Sequence, residues 1–208
     1  VSHALNIHRD DIKSELKLKK VIKKSKVLFE TDIRGLYATK VKHIYGEIIN
    51  YATKAQSILD LNEAQNHHIT EIKIANRKMV EIIRDVRELS RNVSLYLNSE
   101  NTYIQKEYDK LRKKVAKVLR VIHRYRTEKD NEKYHQVLLK LSKEAKESIH
   151  KGNLEFDSLI REDLITVDMA SSYVNDSDNV NDIIKKLIEI ADLLYSKKDS
   201  LLDNEIKQ

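Results

Sequence analysis

The chain has no proline, no cysteine and no tryptophan, and only three glycines, Gly35, Gly46 and Gly152, in 208 residues. Without proline and with so little glycine, tight turns and β-hairpins lack the residues they need, so a mostly helical chain is expected. The absence of cysteine excludes disulfides and thiolate metal sites and accords with a reducing compartment; any metal must be held by His or carboxylate. No run of about eighteen apolar residues occurs, so no segment is expected to span a bilayer, and no charged-then-apolar leader resembles a signal peptide. The chain starts at Val1 rather than Met, which suggests a piece of something longer.

What is present is a balance of 40% apolar and 35% charged residues, too apolar for disorder and too charged for a membrane span. A soluble body with a real core is expected, because a chain of this size can bury about two-thirds or more of its unfolded surface. Ile33, Leu36, Tyr37, Ile44, Ile48, Tyr51 or Ala52, Ala55 and Ile58 recur at helical spacing and predict a first long helix over 27–60. After a corner at 61–68, a second stripe runs from Ile72 through Met79, Val86 and Val93 to Leu97. A third runs from Ile104 through Tyr108, Leu111 and Val115 to Tyr125. A fourth covers Tyr134 to Ile149, with Gly152 as its stop signal. The last fifty residues read as two helices or one interrupted helix. Helices this long draw most of their stability from packing, so they are expected to bundle as antiparallel neighbours.

One stretch resists that pattern. Asn175 to Asp182 holds six Asn and Asp residues in eight positions, and these residues favour turns and caps because their side chains compete for backbone hydrogen bonds. On a helix, at about 100° per residue, Asn175, Asp178, Asn179 and Asp182 share one edge beside the apolar stripe Val180, Ile183, Ile184, Leu187, Ala191 and Leu194. The segment Glu81–Leu97 has the same layout as Asp178–Leu194, with Glu81 matching Asp178 and Asp85 matching Asp182, about half the chain apart. Two copies of a three-helix unit are therefore expected, each with an acid-x-x-x-Asp pair. Carboxylates at i and i+4 sit about 6 Å apart and repel, so either a hard cation or basic neighbours such as Arg84, Arg87 and Arg91 must balance them. Glu81, Asp85, Asp178 and Asp182 are thus the candidate ligands of a divalent metal or iron.

The segments EIIRDVRELSRNVSLYLNSEN, IQKEYDKLRKKVAKVLRVI and IREDLITVDMASSYVNDSDNVNDIIKKLIEIADLL, with the weaker FETDIRGLYATKV, resemble the PhoU-like helical domain found as the cytoplasmic tail of bacterial sodium-dependent phosphate cotransporters. The resemblance covers most of 29–194. It implies an all-α antiparallel bundle of two related three-helix units, and acidic motifs that hold metal, falling here on Glu81 and Asp85 and on Asp178 and Asp182. The chain departs from the family's Glu-Arg-Ile-Gly-Asp-His pattern in lacking that Gly and the following His. The implied organisation is a basic juxtamembrane-like lead-in over 1–26 and a bundle over 27–208, with halves at 27–125 and 126–200. The implied role is regulation of phosphate transport at the cytoplasmic face of the bacterial inner membrane, with the transport domain of the same parent chain as partner.

Lys13 to Lys26 holds seven lysines against one glutamate, which suits an anionic membrane surface or a solvated linker. A second basic face is expected from Lys110, Lys113, Lys114, Lys117, Arg120 and Arg124, directed away from the apolar stripe. No nucleic-acid recognition motif accompanies these runs, and 33 acidic residues dilute the field, so nucleic acid is the least favoured partner. The pairs Glu132/His135 and Glu147/His150 lie on one predicted helix, too far apart to share a metal cluster, and His67 and His68 are expected to be exposed at the corner. No phosphate-cradling glycine loop, cysteine nucleophile or supported Ser-His-Asp arrangement occurs, so an enzyme is not expected. The competing readings are a stand-alone helical adaptor or homodimerising module, and a basic nucleic-acid-associated bundle.

Overall fold

The computed structural model describes residues 1–29, 32–128 and 131–196, without the side chains of 146 and 148–155. The chain forms helices α1 (Arg9–Lys13), α2 (Leu18–Lys24), α3 (Ile33–Leu36), α4 (Lys42–Ile58), α5 (Glu63–Leu97), α6 (Thr102–Thr127), α7 (Asn131–Arg161) and α8 (Val167–Tyr195). The all-α bundle expected from composition is the architecture observed. No helix among the described residues is long and apolar enough to cross a membrane.

Four long helices, α5 to α8, make the body in up-down-up-down order. Lys78 on α5 pairs with Glu189 on α8 at 2.6 Å, and Asn92 donates to Asp176 at 2.9 Å, so residue numbers rise on one helix as they fall on the other. The same antiparallel register joins α6 to α7 through Lys117 and Glu144, and α7 to α8 through His135 and Asp192. The shared core is built from the apolar stripes: Leu89 and Val93 of α5, Leu111 and Val115 of α6, Leu138 of α7, and Val180 and Ile183 of α8 are all buried.

Sequence explains most helix boundaries. Asn62 and Gln65 close a reciprocal capping box at the start of α5. Asn101 caps α6 by accepting from the backbone N–H groups of Tyr103 and Ile104, while its own amide donates to Leu164 O at 2.8 Å and ties two bundle corners together. Gly152 is not a stop: α7 runs through it to Arg161, because burying Phe156 beyond it outweighs the roughly 1 kcal/mol that a helical glycine costs. The chain turns instead at Asp163, which adopts the left-handed conformation at φ 54°. The corner predicted at 61–68 is shorter than expected, since α5 begins at Glu63 and carries the exposed His67 and His68 in its first turns.

Two appendages flank the body. Residues 1–29 fold onto α6, burying Leu5, Ile7, Ile12, Val21 and Ile22 in the common core. The segment 1–26, read from sequence as a basic lead-in, thus packs on the body: its apolar positions complete the core, while Lys13, Lys17, Lys19, Lys20, Lys23 and Lys24 stay exposed. The second appendage is an arm. Here α3 passes through a wide π-turn at Tyr37–Val41 into α4, which packs along the N-terminal half of α5 and leaves the rest of its surface open. Of the sequence halves, 27–125 thus holds the arm, α5 and most of α6, and the second holds α7 and α8; residues 197–208 lie outside the described residues.

Candidate functional site

The Asn- and Asp-rich stretch is helical throughout, inside α8. Its edge divides by partner. Asp178 and Asp182 are exposed, Asn179 donates to Asp85 O at 2.9 Å, and Asp176 turns into the core. On α5, Glu81 accepts from Arg77 at 3.2 Å and Asp85 from Lys186 of α8 at 2.6 Å. The acidic pairs are therefore balanced by basic neighbours or by solvent. Among the described residues no group of three or more His, Asp or Glu side chains is placed to hold a metal. His135 stacks on Tyr125 and faces Asp192 at 3.3 Å, whereas the side chain of His150 lies outside the described residues.

The basic face of α6 is not one surface. Arg112 is fully buried and donates to the carbonyls of Leu5, Asn6 and Ser25 at 2.8, 3.0 and 2.8 Å, and to Asp109 at 2.7 Å. Burial pulls its pKa down and the Asp109 carboxylate pulls it back up. Two turns on, Arg120 donates to the carbonyls of Ile12, Leu16 and Asp11, and Arg124 grips Glu15 at 2.7 Å. Arg120 and Arg124 thus face the N-terminal segment rather than solvent, contrary to the sequence expectation. A guanidinium presents several donors in a fixed fork, so it can satisfy the unpaired carbonyls of a short helix where an ammonium cannot. Asn6 completes the clamp at φ 56°, donating to Ser25 O and Val27 O and accepting from Phe29 N. Arg112 stands one turn from Tyr108 and one from Val115 on the apolar stripe, and a charge on that stripe was the overlooked signal.

Inside the body, Asp176 accepts from the Tyr108 hydroxyl at 2.6 Å and from Asn92 at 2.9 Å. Burial raises its carboxyl above the usual range, and the two hydrogen bonds bring it part of the way back. Tyr108 is pushed upward by burial and then by Asp176. Its ring stacks on Tyr96 at 4.7 Å, and beyond it Tyr173 stacks on Phe156 at 4.2 Å. This is a polar lock across three helices, sealed by aromatics. Asp176 lies in line with Tyr173 and Val180, one turn to either side, and that alignment is its sequence signal.

The arm has the opposite character. From Val41 to Ile58 the apolar residues Val41, Ile44, Ile48, Tyr51, Ala55 and Ile58 recur in the alternation of three and four of a coiled-coil seam, with Tyr45, Ile49 and Ala52 beside it. The sequence predicts this face to be packed, but Tyr51 is 78% exposed and Ile58 77%. Only Ala52 of α4 is buried. Ile48, Tyr51, Ala52 and Ala55 of α4 meet Ile69 and Ile72 of α5 in an open groove of about 370 Å³, with Glu47 at its rim. The body buries most of its stripe residues, whereas Ile44, Tyr51 and Ile58 of this seam are each more than half exposed. No family model matches the sequence, and no curated protein or solved structure matches the chain.

Proposed function

We propose that the chain is a non-catalytic regulatory module that works as a homodimer joined through its arms, α4 against α4 of a second copy. The exposed seam carries this reading, because it is self-complementary when two α4 helices run antiparallel about Tyr51. Ile44 then meets Ile58 of the second copy, Tyr51 meets its counterpart, and Glu47 stands beside Lys54. In a coiled-coil register Glu47 and Lys54 occupy the same flanking position one heptad apart, which is where an antiparallel pair exchanges charges. Burying an isoleucine or tyrosine from an exposed state is worth about 1.5–3 kcal/mol each, and the seam offers three such residues per copy.

The wider role rests on the resemblance to PhoU-like tails: two bundles coupled at their arms bias an attached transport domain, and with it phosphate transport, at the cytoplasmic face of the inner membrane. Such coupling needs two arrangements of the dimer that the transport domain binds unequally. The test of the dimer is sedimentation at increasing concentration with two charge variants. Glu47→Lys is expected to weaken the dimer, and adding Lys54→Glu to restore it, because the swapped pair reproduces the original attraction. Because the chain has no native cysteine, Tyr51→Cys gives a single thiol expected to cross-link two copies. A chain that stays monomeric at every concentration, or a double variant no better than the single one, sinks the reading.

A further inference from the structure

A second open cleft lies where α1 and the last turns of α6 meet the end of α8, about 360 Å³ in volume. Arg9 and Lys13 of α1 and His123 and Arg126 of α6 line it, over a floor that includes Ile12 and Leu119. Unlike the arginines of the clamp, none of these four side chains has a hydrogen bond or ion pair among the described residues. Three permanent positive charges and an imidazole therefore converge on one concavity with no carboxylate answering them among the described residues. The N-terminal docking creates the cluster: Arg120 and Arg124 hold residues 11–16 by their backbone and Glu15, which places Arg9 and Lys13 beside His123.

We propose that this cleft binds a phosphate-bearing anion with an apolar portion, held by Arg9, Lys13, His123 and Arg126. A dianionic phosphate matches the charge of the site better than a single carboxylate, which leaves two cations unanswered. Two guanidiniums supply the forked donors that phosphate oxygens accept in pairs. The isoleucine and leucine floor accounts for an apolar neighbour of the phosphate. The chemistry is shared by a soluble phosphate ester and the headgroup of an anionic lipid.

The site supplies its own reporter. His123 is faced by Arg9 and Lys13 from α1, by Arg124 and Arg126 on its own helix, and by Tyr195 from α8. Burial and then these cations hold its pKa below the ordinary imidazole value, so a bound anion raises the pH at which it titrates. Two arms of one experiment distinguish the sources: inorganic phosphate followed by the His123 ring signals in NMR, and co-sedimentation with phosphatidylglycerol against phosphatidylcholine vesicles, both at fixed ionic strength. The expected result is a saturable His123 shift with phosphate, or retention on phosphatidylglycerol alone, or both. Either is weakened about tenfold or more in Arg9→Gln/Arg126→Gln. Lys20→Gln/Lys24→Gln removes equal charge outside the cleft and is expected to change either by less. Phosphate and vesicles both inert, a His123 response that chloride reproduces, or two double variants with equal effects would each overturn the proposal. Unchanged melting of the variants, whose side chains have no hydrogen bond or ion pair among the described residues, confirms that a loss of binding is local.

Discussion

The N-terminal segment and the arm are both appended to the same four-helix body, and they differ in the way opposite to their sequences. Residues 1–29 look like a solvated basic run, yet they are bonded to α6 through Arg112 and Arg120, are tied internally by Asn6, and share the common core. The arm has the apolar periodicity of a core helix, yet its seam is open. The difference teaches that periodicity reports which face seeks cover, not whether this chain provides it. It also shows that a guanidinium on an apolar stripe can mark a docking site for backbone.

The largest expected effect attacks the N-terminal side of that contrast. Arg112→Ala leaves buried carbonyls and Asp109 without their donor and is expected to cost about 3–5 kcal/mol, the range for removing one partner from a buried charged pair. For a domain of this size that is a fall in melting temperature of roughly 6–20 °C. Arg112→Lys recovers little of it, because an ammonium cannot reach three carbonyls and Asp109 together. Hydrogen exchange is the sharper readout: the amides of Leu5 to Ile7 are expected to lose protection in Arg112→Ala while those of α8 keep theirs. A melting temperature within 2 °C of wild type would break the comparison.

The arm should answer in the reverse sense. Tyr51→Lys with Ile58→Glu removes two large apolar side chains, but both are exposed in the single chain. Unfolding of the monomer is then expected to change within about 0.5 kcal/mol, the usual range for surface sites. The dimer is expected to disappear from sedimentation. If instead the monomer itself melts much lower, the seam is packed in the single chain and the contrast between the appendages is lost.

An intermediate effect is expected at the polar lock of the body. Asp176→Ala strands the Tyr108 hydroxyl and the Asn92 amide in the core and is expected to cost about 1–3 kcal/mol. Asp176→Asn keeps an oxygen acceptor and separates charge from shape. A carboxyl whose folded pKa is raised holds its proton more tightly in the native state than in the unfolded chain. Native stability then falls as pH rises from the unfolded value, about 3.9, through the higher folded one. Asn at this position does not titrate, so its stability relative to wild type is expected to rise across that window and level off above it. Chemical denaturation in a pH series measures the trend; a stability of Asp176→Asn that falls relative to wild type as pH rises, or does not change, would contradict it.

How much of this was legible in the sequence depended on whether a signal was periodic or paired. The long helices of the body and the helical nature of Asn175 to Asp182 followed from spacing alone, since each is a property of one segment. The end of α7 did not, because the burial of Phe156 overrode a local glycine. Arg112 and Asp176 were passed over because a charged residue on an apolar stripe gains meaning only from its partner on another helix, and no single segment shows that partner. The acidic pairs erred in the other direction: Glu81 and Asp85 looked mutually repulsive until Arg77 and Lys186 were seen beside them.

The smallest expected effect concerns those acids, between α5 and α8. Asp85 and Lys186 form a partly exposed pair at 2.6 Å that joins α5 to α8, and such pairs are worth about 0.2–1 kcal/mol. Asp85→Ala is expected to cost no more than that, and equally with or without a chelator. A bound cation sets a different scale. At a hundred times its dissociation constant, a metal that binds only the folded chain adds about 2.7 kcal/mol, well above the contribution of the ion pair. Melting in the presence of Mg or Mn therefore separates the two accounts: the ion-pair account predicts no shift in wild type. A clear upward shift that Asp85→Ala removes would make these carboxylates ligands and would replace the ion pair with a cation as the link between α5 and α8.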